Sequence, residues 1–218
     1  MRQNPSFALG DTDEIKRLIR ENPWATIVSQ TALGPVASHY PVLLDESRED
    51  ISIVSHLGKP DDLIHEFGSH ELLVIIQGPH GYISPGWYDA NPAVPTWNFV
   101  VAHLSGVPEI LSDEENWNVL GRLVDHFEDR MPQPRRMAGT PDNEAYAQRL
   151  LSGTVGWRLT PTRTVAKSKL SQNRPVETVD RIIDGLEGDG AYASPALAAE
   201  MRRVHERIRA AKDSSATR

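Results

Sequence analysis

The sequence predicts an α+β protein, in which a six-stranded antiparallel barrel carries helices on its outside. Segments rich in branched residues follow one another over short connections, which favours antiparallel pairing over βαβ crossovers. Amphipathic helical patterns lie before the first of these segments and after the last. With 218 residues and 39% hydrophobic content, the chain is long enough for one substantial domain, or for a domain with a small helical appendage.

The elements of the first half follow from hydrophobic period and turn residues. A first helix is predicted to begin near Asp11 or Thr12 and to bury Ile15, Leu18 and Ile19. Strands are predicted over residues 25–30, 36–44, 51–56, 72–83 and 96–111, with a short helix over residues 61–67.

The second half is predicted to be mainly helical. Ser112 and Glu115 form a capping box that opens a helix, and a strand is expected over residues 155–165. Two C-terminal helices begin near Pro175 and Pro195. The predicted apolar stripes are Trp117, Leu120, Val124 and Phe127 in the first helix, Val176, Val179, Ile183 and Leu186 in the second, and Leu197, Met201, Val204 and Ile208 in the third.

The composition excludes several classes of protein. The chain has no cysteine, which excludes disulfides, thiolate catalysis and cysteine-ligated metal sites, and which fits a reducing compartment. No stretch approaches the roughly 20 apolar residues that span a bilayer. The N-terminus becomes polar and acidic before any apolar run, unlike a secretory signal. We therefore expect a cytoplasmic protein without a membrane partner.

The charge is acidic overall but contains one cationic block. A net charge of −7 argues against a surface that grips nucleic acid throughout, because such binding neutralises phosphates. Residues 157–174 nevertheless lack any acidic side chain. The cations of this block are Arg158, Arg163, Lys167, Lys169 and Arg174. The block is either a solvated face or a site for an anionic group such as a phosphate monoester.

Familiar catalytic motifs are missing from the sequence. The eight histidines show no tight ligand spacing of the HxH or HExxH kind, so no metal site is predicted. No GxSxG turn indicates a serine hydrolase. The phosphate loop GxxxxGK[ST] and the dinucleotide fingerprint GxGxxG are also missing, which disfavours ATP and NAD binding by those routes.

The segment over residues 78–99 combines prolines, glycines and aromatic rings. It reads GPHGYISPGWYDANPAVPTWNF. One interpretation is a rigid loop whose rings cover one end of the barrel. The other is a wall for a planar aromatic ligand, with Trp87, Tyr88 or Trp97 stacking on the ligand and Asn98 bonding its polar edge.

Five segments in order resemble the PaiB family of negative transcriptional regulators. They are SHYPVLLD at residues 38–45, HLGKPDD at 56–62, PHGYISPGWY at 79–88, VPTWNF at 94–99 and KLSQNR at 169–174. The resemblance covers roughly residues 5–190 and implies an FMN-binding split barrel, related in fold to pyridoxamine-phosphate oxidases. It also implies a homodimer that holds the flavin at its subunit interface. DNA enters as a partner through this resemblance alone.

The resemblance divides the chain and suggests which residues bind FMN. The split-barrel domain is expected over residues 1–170, a helical extension over 171–212 and a disordered tail over 213–218. The candidate FMN-binding residues are Ser38, His39, His56, Lys59, Trp97, Asn98, Lys169, Gln172 and Arg174. No catalytic residue is assigned.

One segment departs from the family pattern, and the neighbours Trp97 and Asn98 are expected to have different roles. The family carries a small residue, Arg and Asn-Pro after its histidine, whereas this chain has Gly58, Lys59, Pro60 and Asp61. Lysine lacks the bidentate fork of arginine, and an aspartate would repel an anion unless it points away. Strand alternation sends Trp97 and Asn98 to opposite faces. Asn98 or its backbone is expected to meet the polar edge of the ring, and Trp97 is expected to pack behind it or across the dimer interface.

Three functions remain open from the sequence. The first is a flavin-binding regulator whose ligand state changes its interaction with a partner or with DNA. The second is a flavin oxidoreductase of the pyridoxamine-oxidase or flavin-reductase kind, and the third is a scaffold that has lost its flavin. No helix-turn-helix pattern is present. The last helix carries five cations, which are diluted by Glu200 and Glu206. These cations are Arg202, Arg203, Arg207, Arg209 and Lys212.

Overall fold

A computed structural model describes residue 1 and residues 4–216 of the chain. The described residues form ten strands and six α-helices. The strands are β1 (Ala8–Leu9), β2 (Trp24–Thr31), β3 (Gly34–Pro41), β4 (Leu43–Leu44), β5 (Ile53–Gly58), β6 (Leu72–Ile83), β7 (Thr96–Gly106), β8 (Glu109–Ile110), β9 (Thr154–Leu159) and β10 (Arg163–Lys169). The helices are α1 (Thr12–Glu21), α2 (Lys59–Ile64), α3 (Asp113–Glu128), α4 (Pro141–Leu151), α5 (Val176–Glu187) and α6 (Pro195–Ala216).

The strands form two sheets. The larger sheet has six strands in the order β1-β10-β7-β6-β2-β3, and the smaller has four in the order β4-β5-β9-β8. The strand β2 pairs with β3 and with β6 in antiparallel registers, and β9 pairs likewise with β5 and β8. The α+β class with a six-stranded antiparallel sheet is therefore confirmed.

Three of the six predicted strands are each divided into two, which corrects the strand bounds. Pro41 ends β3, Pro108 lies between β7 and β8, and Pro161 lies between β9 and β10. Proline has no backbone N–H to give to a ladder, so each break falls where pairing would lose a hydrogen bond. Each divided strand contributes one part to the smaller sheet, and these parts are β4, β8 and β9. The short strand β1 was not predicted.

The chain divides into two compact units by its contacts. The first unit comprises Met1–Gly10, Gly78–Val101 and Ala166–Arg218, and the second comprises Asp11–Gln77 and Ala102–Val165. The predicted boundary at residue 170 remains a prediction. The helix α6 continues through Ala216, so residues 213–216, which were expected in a disordered tail, are helical. The last two residues of that tail lie outside the described residues.

The core of the first unit is built mainly by α5 and α6. Val179, Ile183 and Leu186 of α5 are buried as predicted. Val176, which was expected in the same stripe, is 46% exposed because it begins the helix. Leu197 and Met201 of α6 are fully buried.

In the second unit, α1 follows the prediction and α3 departs from it. Asp11 caps α1, and the predicted residues Ile15, Leu18 and Ile19 are buried. The capping box of α3 is present, but its buried face is Asn116, Val119 and Leu123. The predicted stripe is therefore wrong by one residue, and Phe127 at its end is 42% exposed.

A polar residue explains why the buried face of α3 differs from the prediction by one position. Asn116 points inward, where its amide donates to Thr154 Oγ1 at 2.9 Å. Gly156 of β9 lies so close that a Cβ added there would be 2.7 Å from Asn116. A close approach to the sheet backbone at Asn116 thus sets the face that α3 buries. No helix in the described part of the chain combines the length and the apolar character needed to cross a bilayer.

Candidate functional site

The cationic block of the sequence is divided by the fold. Arg158 pairs with Asp45 at 3.0 Å and with Glu109 at 3.1 Å, and Arg163 lies 3.4 Å from Glu71. Both arginines belong to the second unit and have acidic partners. The remaining cations, Lys167, Lys169 and Arg174, belong to the first unit. We call these three residues the cation group.

Lys169 lies at the end of β10 and faces the first residues of β7. Its ammonium donates to Thr96 Oγ1 and, at 2.8 Å, to the carbonyl oxygen of Trp97. Burial lowers the pKa of Lys169, and the nearby charges of Lys167 and Arg174 lower it further. Because these charges are both positive, the neighbourhood of Lys169 favours an anion.

The other two members of the cation group lie over aromatic rings. The Lys167 ammonium is 5.6 Å from the centroid of Phe99, and the Arg174 guanidinium is 4.8 Å from that of Tyr88. The negative face of an aromatic ring attracts a cation without neutralising it. Both charges therefore remain available to an anionic ligand.

Trp97 and Asn98 lie on opposite faces of β7, as alternation predicts. Trp97 is 55% exposed, whereas Asn98 is fully buried. The Asn98 amide donates to Ser171 Oγ at 3.0 Å and contacts Met201 Sδ at 3.4 Å. With its amide directed inward, Asn98 is poorly placed for the ring edge that was expected of it. The geometry favours Trp97 as the residue that meets a planar ligand.

Trp97 belongs to a small aromatic surface. Its ring is 6.3 Å from Tyr82, and Tyr82 is 4.6 Å from Tyr192. Tyr192 is also 55% exposed. This surface adjoins the cation group because the Trp97 carbonyl accepts from Lys169. Tyr82 and Tyr192 were not singled out in the sequence, since Tyr192 lies far along the chain in a short loop before α6.

Trp87 and Tyr88 serve packing instead. A Cβ added to Gly185 of α5 would lie 2.5 Å from the Trp87 indole, so the ring rests directly on the helix backbone. Tyr88 is 2% exposed. Arg181 donates to the carbonyl oxygen of Tyr88 at 3.1 Å and fixes the loop. Of the three rings considered as a ligand wall, Trp97 alone is exposed.

The remaining candidates of the first family segments lie in the second unit. Asp61 accepts from Ser38 Oγ at 3.0 Å and from Tyr40 Oη at 2.8 Å. The Tyr40 hydroxyl in turn accepts from the backbone N–H of Gly58 at 3.2 Å. Asp61 thus points toward the hydroxyls of β3, and Ser38 uses its only proton on that carboxylate. Lys59, at the start of α2, is exposed.

His65 completes this network, although no motif distinguishes it among the eight histidines of the sequence. Its ring is fully buried, with Nδ1 2.7 Å from Ser29 Oγ and Nε2 3.0 Å from Ser38 Oγ. Since Ser38 donates to Asp61, it must accept from Nε2–H. Burial lowers the pKa of His65, against the opposing effect of Asp61. The neutral ring then accepts from Ser29 at Nδ1.

The two other histidine candidates differ in their surroundings. His39 is exposed and stacks on Trp24, with ring centroids 6.5 Å apart. His56 is partly buried, and burial lowers its pKa. Its Nδ1 atom is buried and has no hydrogen-bond partner among the described residues. A buried polar atom of this kind is costly unless something binds it.

Comparison with known families decides the relationship. Residues 1–163 match the family described as "Putative FMN-binding domain". The chain belongs to this family. The resemblance expected from the sequence is confirmed, and so, for the family, is FMN as the cofactor. The KLSQNR segment lies beyond the matched residues, so its role must be argued from its geometry.

One relative and two solved structures resemble this member of the FMN-binding family over most of its length. "Protease synthase and sporulation protein PAI 2" of Bacillus subtilis is 28% identical and covers 84% of this chain and 87% of its own. The FAD and heme binding protein from Mycobacterium smegmatis has a TM-score of 0.58 at 17% identity and covers 85% of this chain and 81% of its own. The flavocytochrome Anf3 from Azotobacter vinelandii has a TM-score of 0.57 at 15% identity, covering 78% and 72%. Both structures share the fold expected from the sequence.

The side chains of this FMN-binding domain fit a flavin. The cation group of the first unit suits a phosphate monoester, and the exposed Trp97 beside it suits an aromatic ring. In the second unit, His56 Nδ1 is a buried polar atom without a partner among the described residues. FMN, when bound, supplies one- and two-electron redox chemistry. Among the residues that the structure describes, no three His, Asp or Glu side chains gather as metal ligands would.

Proposed function

We propose that this protein is an FMN-binding regulator of the PaiB type, which holds its flavin at a homodimer interface. Membership of the FMN-binding family supports the cofactor. The similarity to the sporulation protein PAI 2 over 84% of the chain supports a regulatory role. No residue is assigned to catalysis.

The cation group beside Trp97 is the observation that carries this proposal. Lys169 and Arg174 take the phosphate, whereas Lys59, which lies in the second unit, stays a candidate from the sequence alone. Trp97 takes one face of the isoalloxazine ring. A phosphate monoester carries nearly two negative charges at neutral pH, and it is bound most strongly where donors are charged and partly withdrawn from water. Burial of Lys169 beside two further cations meets that condition.

The visible absorption spectrum of the purified protein tests the proposal directly. Bound flavin gives bands near the visible maxima of free FMN, sharpened and shifted by the protein. The apoprotein, prepared by mild acid or salt, should regain the bands on addition of FMN at micromolar concentration. A protein that gains no bound FMN under these conditions leaves only the scaffold interpretation.

Direct DNA binding has little support in the side chains of α6. Arg202 pairs with Glu187 at 2.8 Å, Arg203 with Glu200 at 2.9 Å, and Arg209 with Asp180 at 2.9 Å. Cations with carboxylate partners release fewer counterions on meeting phosphate than unpaired cations do. We therefore propose that regulation acts through a protein partner or through the flavin state, with DNA retained as a partner by family analogy alone.

A flavin oxidoreductase is the second candidate. Its support is the match to an FMN-binding domain, which fits an enzyme as well as a regulator. Steady-state oxidation of NADH or NADPH by the FMN-loaded protein separates the two functions. Multiple turnovers above the rate of free FMN would establish the enzyme. A rate equal to that of free FMN supports the regulator.

A further inference from the structure

The turn that joins β10 to α5 is held by side chains that do not face a ligand. It comprises residues 169–174, with Lys169, the last residue of β10, at one end and Arg174 at the other. The proposed phosphate contacts therefore depend on the shape of this turn. We call it the KLSQNR turn.

The backbone of the turn adopts an unfavourable conformation at its centre. Ser171 has φ of 65°, in the left-handed region that residues other than glycine seldom occupy. The Arg174 N–H donates to the carbonyl oxygen of Ser171 at 3.0 Å. The strained residue thus sets the position of the Arg174 backbone. Such conformations persist where the surroundings determine them, and they cluster at functional sites.

Three side chains determine the turn from the inside. Asn98 donates to Ser171 Oγ at 3.0 Å. Gln172 donates to the Ser168 carbonyl oxygen at 2.6 Å and accepts from the Leu170 N–H at 2.7 Å. His205 of α6 contacts the Leu170 carbonyl oxygen at 2.9 Å through Nε2, which must carry the proton because a carbonyl only accepts.

Burial separates these three side chains from the cations that they support. Asn98 is fully buried and His205 is 8% exposed, whereas Arg174 is exposed. The side-chain amide of Gln172 makes hydrogen bonds to the backbone of the turn and of the residue before it. All three side chains make hydrogen bonds to the turn, although two of them, Asn98 and Gln172, stand among the candidate FMN-binding residues.

We infer that Asn98, Gln172 and His205 are positioning residues, which hold the KLSQNR turn so that Lys169 and Arg174 meet the phosphate of FMN together. This inference rests on the proposed function. It assigns a role to His205, which no motif in the sequence indicated. It also explains why a strained serine occupies the centre of the turn. Ser171 Oγ accepts the hydrogen bond that Asn98 donates, and a glycine would have no side chain to accept it.

A comparison of FMN with riboflavin tests the inference, because riboflavin carries the same ring without the phosphate. His205→Phe removes the donor to Leu170 and is expected to weaken FMN binding about threefold to tenfold, with riboflavin binding unchanged. His205→Gln keeps a donor at similar reach and should restore most of the FMN affinity. His126→Phe, on α3 in the second unit, is the matched control and should leave both affinities unchanged.

A double-mutant cycle shows whether His205 acts through Arg174. In an Arg174→Ala background, His205→Phe should cost less FMN affinity than in the wild type, since one of the two cations that the turn positions is gone. Gln172→Met, at a partly exposed site of similar side-chain volume, provides a second entry to the same cycle if His205→Phe folds poorly.

Three outcomes overturn the inference while the proposed function stands. The losses could be equal for FMN and riboflavin, they could persist at full size in the Arg174→Ala background, or the melting temperature could fall with FMN affinity unchanged. A wild-type protein that binds neither flavin contradicts the proposed function instead. The two failures are therefore distinguishable.

Discussion

At the scale of single residues, the cation group places three positive charges beside the exposed Trp97. A run of five cations without acidic residues is visible in the sequence. Whether each cation has a partner is not, because the partners of Arg158 are Asp45 and Glu109, which lie far away in the chain. Tertiary contacts thus reduced the block to three available charges.

Tertiary contacts also decide which of Trp97 and Asn98 is accessible to a ligand. Alternation along a strand predicts opposite faces, and the two residues do lie on opposite faces. It does not say which face is covered. Met201 of α6 contacts Asn98 and supplies the cover, and more than a hundred residues separate the two positions. A polar residue was expected to face the ligand, whereas the indole is the exposed side chain.

Lys169→Ala is expected to weaken FMN binding by at least roughly tenfold, because a charge-assisted hydrogen bond contributes about 1.5–3 kcal/mol. Titration of the apoprotein, followed by flavin fluorescence, measures the change. Lys16→Ala is a suitable control, since Lys16 also donates to a backbone carbonyl, that of Glu49, but lies on α1. Unchanged FMN affinity in a folded Lys169→Ala protein would mean that the ammonium merely ties β10 to β7. An equal loss for riboflavin would mean that it acts by placing Trp97.

Trp97→Phe tests the contact with the ring. If the indole lies against the isoalloxazine, its replacement should relieve quenching of the bound flavin's fluorescence. The melting temperature should move little, because the side chain is 55% exposed. Trp24→Phe is the matched control, as Trp24 is 63% exposed and belongs to the second unit. Unaltered flavin fluorescence with a lowered melting temperature would place the flavin elsewhere.

At the scale of elements, the sequence predicts where regular structure lies better than where it is interrupted. The strand β6 has the bounds that alternation predicts. The divisions at Pro108 and Pro161 could have been found, because a proline inside a predicted strand argues for an edge or a break. The inward turn of Asn116 could not, since it depends on the close approach of Gly156.

Two helical glycines give opposite predictions for the same substitution. Alanine in a helix interior usually stabilises by about 1 kcal/mol relative to glycine. At Gly121 of α3, the nearest neighbour of an added Cβ is the flexible Met137 side chain at 3.8 Å, so Gly121→Ala should raise stability. At Gly185 of α5, the added Cβ would lie 2.5 Å from the Trp87 ring.

Gly185→Ala should therefore lower the free energy of unfolding by about 1–3 kcal/mol, as overpacked cores do. Urea unfolding of both variants measures the pair. The loop that carries Trp87 would have to move to relieve the contact, so the fluorescence of the folded protein should also change. A stabilising Gly185→Ala would show that Trp87 moves freely and that the loop is not held by α5.

At the scale of the whole molecule, the hydrophobic pattern predicted the α+β class, and the family resemblance predicted the barrel fold and the FMN cofactor. Composition and strand spacing indicate α+β without indicating any ligand. The five family segments narrowed this to an FMN-binding split barrel, and the family match confirms the FMN-binding domain. Composition and strand spacing do not predict the quaternary structure, because a surface that a partner covers and a surface that solvent covers can have the same composition.

We predict that the protein is a homodimer. The segment over residues 78–99 gives little support, because its rings Trp87 and Tyr88 are covered by the chain's own α5 and Arg174. The support comes from the family and from the exposed apolar side chains beside the proposed flavin contacts. Val94 is 69% exposed and Trp97 is 55% exposed. Neighbouring apolar groups of this size are typical of a surface that another protein covers.

Sedimentation velocity at micromolar concentration should give a species of about twice the chain mass of 24.2 kDa. Val94→Asp should shift the population toward the monomer, because burying an unpaired carboxylate in an interface is costly. Leu33→Asp is the matched control, at a fully exposed residue of the turn between β2 and β3. If FMN binds between subunits, Val94→Asp should also lose flavin, and excess FMN should restore the dimer by mass action. A wild-type species of 24.2 kDa with flavin bound would show that one chain alone forms the whole site.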